Sequence, residues 1–110
     1  MVFTSYGKRK EIKFYTDMYS VDGSTYVGAV LIENGEPVEY YGDITTCIPF
    51  STMEEEEVVL DTNNCGNAAD AMVEQGYVKL TRRKVKSGFC EYPVGKLTKK
   101  FFNEELKEDK

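Results

Sequence analysis

The sequence contains no histidine and no tryptophan. Without histidine the chain lacks the commonest general base, the commonest zinc ligand and the only side chain whose ordinary titration spans neutral pH. It has three cysteines, Cys47, Cys65 and Cys90, an odd number with no CxxC spacing, so neither a disulfide framework nor a zinc ribbon is indicated. No run of eighteen apolar residues occurs, and the opening Met1 to Lys10 has no apolar stretch of the kind that directs secretion, so a cytoplasmic protein with no membrane partner is expected. Between residues 33 and 74 there is not one lysine or arginine.

What is present fits one folded domain spanning residues 1–110. Hydrophobic residues make up 41% and aromatics 13% of the chain, with eight Tyr and six Phe, which is enough apolar surface to build a core and excludes a disordered acidic tail. The net charge of -5 conceals an uneven distribution. Residues 33–74 hold eleven acidic side chains, and residues 75–100 reverse the sign with eight basic ones against Glu91. Asymmetry of this kind bears on partners and steering rather than on fold. Either the two segments neutralise one another or the acidic one faces a partner.

Alternating Ile12 and Phe14 predict a strand, ended by turn chemistry at Asp22-Gly23-Ser24. Tyr26 to Ile32 is apolar on both faces, as in a central strand. Asn34-Gly35 between two β-rich runs is a strong hairpin signal, and Pro37 opens the return strand. On that strand strict alternation puts Val38, Tyr40, Ile44 and Ile48 on one face and Glu39, Tyr41, Asp43 and Cys47 on the other, towards water. After Pro49 come Glu54 to Glu57, a short strand at Val58 to Leu60, and a helix capped by Asn67, striped by Ala68, Ala69, Met72 and Val73, and stopped at Gly76. Tyr77 to Leu80 and Lys84 to Tyr92 read as strands divided by the turn Thr81-Arg82-Arg83. A last short helix is capped by Thr98, with Leu97 stapled to Phe102, and it holds only if Phe101, Phe102 and Leu106 dock, because Lys99 and Lys100 at its start and Glu104, Glu105 and Glu108 beyond oppose its dipole. The expected fold class is α+β: an antiparallel sheet of about five to six strands with one or two short helices packed on it.

No catalytic signature stands out, so an enzyme is not expected and no cofactor is implied. Asp61-Thr-Asn63-Asn-Cys65-Gly66 imitates a calcium loop, but its twelfth position is Met72 and its fifth a thiol, so a helix-capping turn is the better reading and no metal is expected. Two alternatives stay open. A nucleic-acid-binding accessory protein could use the basic strand 79–86, where Tyr77 and Phe89 interleave with Lys79, Arg82, Arg83, Lys84 and Lys86, although a pI near 4.8 argues against direct nucleic-acid binding. A metal-binding or thiol protein could use Asp61, Cys65 and Cys90. The acidic residues point instead to a basic protein partner, with Glu33, Glu36, Glu39, Asp43, Glu54, Glu55, Glu56 and Glu57 as the candidate binding residues.

Three segments, Tyr41-Gly-Asp-Ile-Thr-Thr46 leading to Pro49, Leu60-Asp-Thr-Asn-Asn-Cys65 and Ser87-Gly-Phe-Cys-Glu-Tyr-Pro93, resemble in order and separation the domain of unknown function 4313 family of small proteins on conjugative elements and phages. The resemblance covers about residues 25–97, and Gly95-Lys96 departs from it where an aromatic residue is expected. It implies a mobile-element setting and no reaction. Small acidic proteins of that setting are similar to inhibitors of host defence, such as anti-CRISPR proteins, so the resemblance implies a host defence protein, foremost a Cas nuclease, as partner. In that reading the acidic face acts as a DNA mimic.

Overall fold

The computed structural model describes residues 1–20, 23–48 and 56–106. Among these residues eight strands and one α-helix are formed: β1 Val2–Ser5, β2 Lys8–Met18, β3 Thr25–Glu33, β4 Glu36–Asp43, β5 Thr45–Thr46, β6 Glu57–Leu60, α1 Thr62–Glu74, β7 Val78–Ser87 and β8 Cys90–Leu97, followed by one π-helical turn at Phe101–Glu105. The strands make two antiparallel four-stranded sheets, ordered β1-β2-β3-β4 and β5-β6-β8-β7. The protein is therefore mostly β, with more strands than alternation alone predicts and less helix than a balanced α+β fold. The excess comes from β1, which precedes the first recognised alternation, and from β5, where the chain crosses between sheets.

The first sheet is a meander set by its turns. Tyr6 and Gly7 turn between β1 and β2 with φ of 51° and 77°, and Asn34 and Gly35 between β3 and β4 with 53° and 79°. Two consecutive positive φ angles match the right-handed twist of the flanking strands, which is why Asn-Gly is favoured there. β3 is central, as expected. Its partner β4 does not alternate simply, because the register slips between Ala29 and Val30 and again between Leu31 and Ile32, leaving Tyr41 and Val38 as extra residues on β4. Each bulge shifts the following side chains to the opposite face. The expected faces hold for buried Ile44 and exposed Asp43 but are overturned at the bulges: Tyr41 turns inward and packs edge-on against Phe3 with centroids 5.9 Å apart, whereas Val38 and Tyr40 are exposed.

The second sheet also contains a bulge. Leu80 faces Gly95 and Lys84 faces Pro93, so Thr81, Arg82 and Arg83 together oppose Val94. Thr81 Oγ1 donates to the Val94 carbonyl and accepts from Arg83 N, and Arg82 has a φ of 73°. These local bonds hold within one strand what the sequence suggests is a turn between two. The true turn is Gly88-Phe89, with Ser87 and Cys90 as the closing pair.

α1 begins earlier than expected. Asp61, not Asn67, caps it, its Oδ1 accepting from Asn64 N at 3.2 Å and its Oδ2 from Asn64 Nδ2 at 2.9 Å. The helix bends at Cys65, whose φ and ψ of -125° and 37° are not helical, and Asn67 lies beyond the bend, donating to Ser5 Oγ. Gly76, with φ of 85°, stops the helix as expected: Tyr77 N reaches Met72 O and Gly76 N reaches Val73 O. The expected C-terminal helix is the π-helical turn, in which Thr98 Oγ1 accepts from Phe101 N. Lys100 Nζ and Thr98 Oγ1 donate to the Gln75 and Gly76 carbonyls, tying this turn to the end of α1.

One core joins these parts, drawing Ile12, Phe14, Val27 and Ala29 from the first sheet, Val58, Leu60, Val78 and Leu97 from the second, Ala68, Ala69 and Met72 from α1, and Phe101. Phe101 is completely buried and meets Phe14, Tyr77 and Phe102 edge-on at centroid distances of 5.3, 6.4 and 5.6 Å. Its docking is what anchors the chain end. Phe101→Ala is expected to cost about 3–5 kcal/mol, read as a lower urea midpoint with unchanged slope, through lost burial and the cavity left behind. A loss below about 1 kcal/mol would mean that the C-terminal turn is an accessory to the core.

Candidate functional site

The register of the first sheet decides which side chains share its outer face, the one turned away from the core. Paired residues point the same way, so Tyr15, Gly28 and Asp43 form one row, with Asp17 and Tyr26 on one side of it and Lys13, Val30 and Tyr40 on the other. The tyrosines converge on the carboxylate. Tyr26 Oη donates to Asp43 Oδ1 at 2.5 Å, Tyr40 Oη donates to the same oxygen, and Tyr15 Oη lies 3.2 Å from Tyr26 Oη. Tyr15 and Tyr26 are 5.8 Å apart between ring centroids, and Tyr19 closes the other side of Tyr26 at 5.5 Å, edge-on.

Gly28 makes this possible. A Cβ there would come within 2.6 Å of Tyr15 Oη and would also collide with Tyr26 Oη, so the rings lie directly over backbone. Desolvation, and then the hydrogen bond to Asp43, raise both phenols above the ordinary tyrosine value, Tyr40 being pushed up to about 12. They are therefore hydrogen-bond donors at every physiological pH. Alternation in the sequence already puts Tyr26 opposite the core face of β3. Tyr40 is missed because nothing in the sequence announces the bulge at Tyr41.

The acidic residues divide into two groups. Glu33 and Glu36 face each other beside the Asn34-Gly35 turn, and Glu39 and Asp43 follow along β4, the edge strand of its sheet. All are exposed, and among the described residues Glu33, Glu36, Glu39 and Asp43 make no ion pair. Glu57 is different. It is buried in β6, and Arg83 Nη1 lies 2.7 Å from its Oε1, so its charge is neutralised inside the second sheet. Glu56 is half-buried with φ of 66°, its carbonyl accepting from Leu97 N. Glu54 and Glu55 lie outside the described residues. Thus the compensation between acidic and basic segments is real at Glu57 and absent along β4.

The remaining candidates are separate. Lys79, Arg82, Lys84 and Lys86 are exposed on β7, the edge strand of the other sheet, and Phe89 is fully exposed at the tip of the β7–β8 hairpin. Lys84 pairs with Glu91 at 3.6 Å. Cys65 is buried, and a Cβ at Gly42 would come within 2.7 Å of its sulfur. Burial, and then the carboxylates of Asp61 and Asp43, push its thiol up, which disfavours the thiolate a nucleophile needs. Asn63 Nδ2 reaches towards Cys90 Sγ at 4.0 Å. Among the described residues no group of three or more Cys, Asp or Glu side chains is placed to hold a metal ion, and no helix is long and apolar enough to cross a membrane.

The model of a family described as a domain of unknown function, DUF4313, matches residues 13–108, and the chain belongs to that family. No curated protein and no solved structure matches it.

Two expectations follow from the geometry. In alkaline spectrophotometric titration, phenolate from Tyr40 is expected only at about pH 12, with Tyr26 also late. Unfolded tyrosines ionise near pH ~10, so the stability these two contribute is complete below that pH and is lost as pH rises towards the folded values. Asp43→Asn is expected to bring both ionisations down. Ordinary titration of all eight tyrosines in the folded parent would contradict the cluster. Separately, Glu57→Ala removes a buried carboxylate that meets Arg83 and is expected to cost about 1–3 kcal/mol in urea unfolding, whereas Glu36→Ala stays within about 0.5 kcal/mol. Equal effects would erase the division between structural and available carboxylates.

Proposed function

We propose that this DUF4313 protein is a non-enzymatic inhibitor from a mobile genetic element, such as a phage, that binds a host nucleic-acid-handling defence protein and competes there with nucleic acid. The reading is of the anti-CRISPR type, with a Cas nuclease as the partner. One observation carries it: Glu33 at the end of β3 and Glu36, Glu39 and Asp43 on the edge strand β4 stand exposed, and among the described residues no basic side chain pairs with them. Isolated carboxylates gain little for stability by being left this way, but together they set a negative field that reaches a partner before contact. The channels of RNA-guided nucleases are lined with positive charge to hold phosphate backbones, and exposed carboxylates along one sheet edge compete for the same groups.

The cost of clustering like charge also supports this reading. Glu33 and Glu36 are directly opposed across the hairpin, an arrangement that disfavours the pairing it sits on. An edge strand needs some charge to resist adding another strand, and lysine serves that purpose as well as glutamate. What edge protection leaves unexplained is the single sign of the charge.

A second reading draws on Phe89, which stands fully exposed beside the basic side chains of β7 and has the composition of a single-strand stacking site. It conflicts with the overall acidity, and a gel shift with plain DNA and RNA separates the two. A clean shift at physiological salt would favour β7.

Charge removal tests the main reading. The triple variant Glu33→Gln, Glu36→Gln, Glu39→Gln keeps size and polarity at exposed sites, so folding should be unchanged. Its association with a Cas nuclease that the parent inhibits is expected to slow by about tenfold or more at low salt and to lose most of its salt dependence, because screening acts on the charges removed. Glu57 is left intact, since altering it would confound binding with stability. Parent-like association across a salt series would reduce the acidic edge to a solvated face.

A further inference from the structure

We infer that Asp43, with Tyr26 and Tyr40, is the docking point for an arginine side chain of the partner. The inference rests on the acidic-edge reading above and names the chemical group received at Asp43, which shares the outer face with Tyr15 and Gly28, whereas Glu39, opposite Leu31, and the Glu33–Glu36 pair fall on the other face of the sheet. Both tyrosine hydroxyls are spent on Oδ1 of Asp43, and Oδ2 has no partner among the described residues. The carboxylate is thus held in one orientation by two donors while half of its acceptor capacity stays available.

Its surroundings select the cation. Tyr40 is 55% exposed and Tyr15 39%, so aromatic rings flank the carboxylate on an open sheet face. Lys13 lies in the neighbouring row and Asp17 beside Tyr26, and no ion pair between Lys13 and Asp43 forms. A planar guanidinium can lay its face on an exposed ring while an edge N–H pairs with the carboxylate; a compact ammonium meets only the second demand. The rings need little ordering to receive it. Gly28 beneath and Tyr19, hydrogen-bonded through its hydroxyl to Thr45 Oγ1, already fix Tyr26. Pre-ordered aromatic anchors around a charge are also what concentrates binding energy at protein interfaces. The glutamates nearer the Asn34-Gly35 turn have no such frame and attract any cation alike.

The test compares two probes of equal charge, a short peptide of alternating Arg and Gly and its Lys-Gly counterpart, binding to the full chain at low ionic strength. NMR of the tyrosine rings and titration calorimetry supply the readouts. The Arg peptide is expected to shift the Tyr15, Tyr26 and Tyr40 ring signals and to bind about threefold to tenfold tighter than the Lys peptide. Asp43→Asn, which still accepts the tyrosine hydrogen bonds, and Tyr40→Ala, at an exposed position, should each remove that preference. Equal affinity for the two peptides, unaltered by Asp43→Asn but lowered by the triple Glu33, Glu36, Glu39 variant, would overturn the arginine site and leave the acidic-edge reading standing. Binding of neither peptide would overturn both.

Discussion

Ile44 holds the two sheets together. Its backbone N–H donates to Val27 O on β3 of the first sheet, and its carbonyl accepts from Asp61 N at the end of β6 in the second. Its side chain is completely buried, so these two hydrogen bonds are made in the core, where an unpaired backbone group would be costly. Thr45 reinforces it, its Oγ1 accepting from Val27 N at 3.1 Å. Because Ile44 is fixed, Asp43 before it must stand opposite Gly28, and Asp61 must stand where it caps α1. The tyrosine–carboxylate cluster and the helix start are consequences of one crossing point.

The same crossing separates charge. Before it, β4 carries acidic side chains on the edge of the first sheet; after it, the second sheet buries Glu57 with Arg83 and puts the basic residues of β7 on its own edge. Folding therefore does not cancel the sign reversal along the chain. It converts a sequence asymmetry into two edges of opposite character, and among the described acidic residues of 33–74 Glu57 is the one that forms an ion pair with a basic side chain.

Local rules were legible where a single residue type commands the backbone. Asn34-Gly35 takes the two positive φ angles it predicts, Gly76 ends α1, and Ile12 with Phe14 face the core. Legibility ends at the bulges. The extra residues Val38 and Tyr41, and the Thr81 to Arg83 insertion, depend on how a neighbouring strand is aligned, and side-chain alternation has no means of recording them. For that reason the acidic residues of β4 are identifiable from the sequence, while simple alternation puts Tyr40, the partner of Asp43, on the core face. Asn67 is similarly a suitable cap by type, but Asp61 is already held next to the chain crossing and starts the helix sooner.

The central claim is that partner binding belongs to the acidic edge of the first sheet. Backbone amide exchange, compared for the protein alone and mixed with a Cas nuclease, the proposed partner, addresses that claim at residue resolution. The account predicts new protection concentrated in residues 33–43 and in the β2 and β3 segments carrying Tyr15 and Tyr26, with β7 unchanged. Protection confined to residues 78–89, with β4 exchanging as in the free protein, would contradict it.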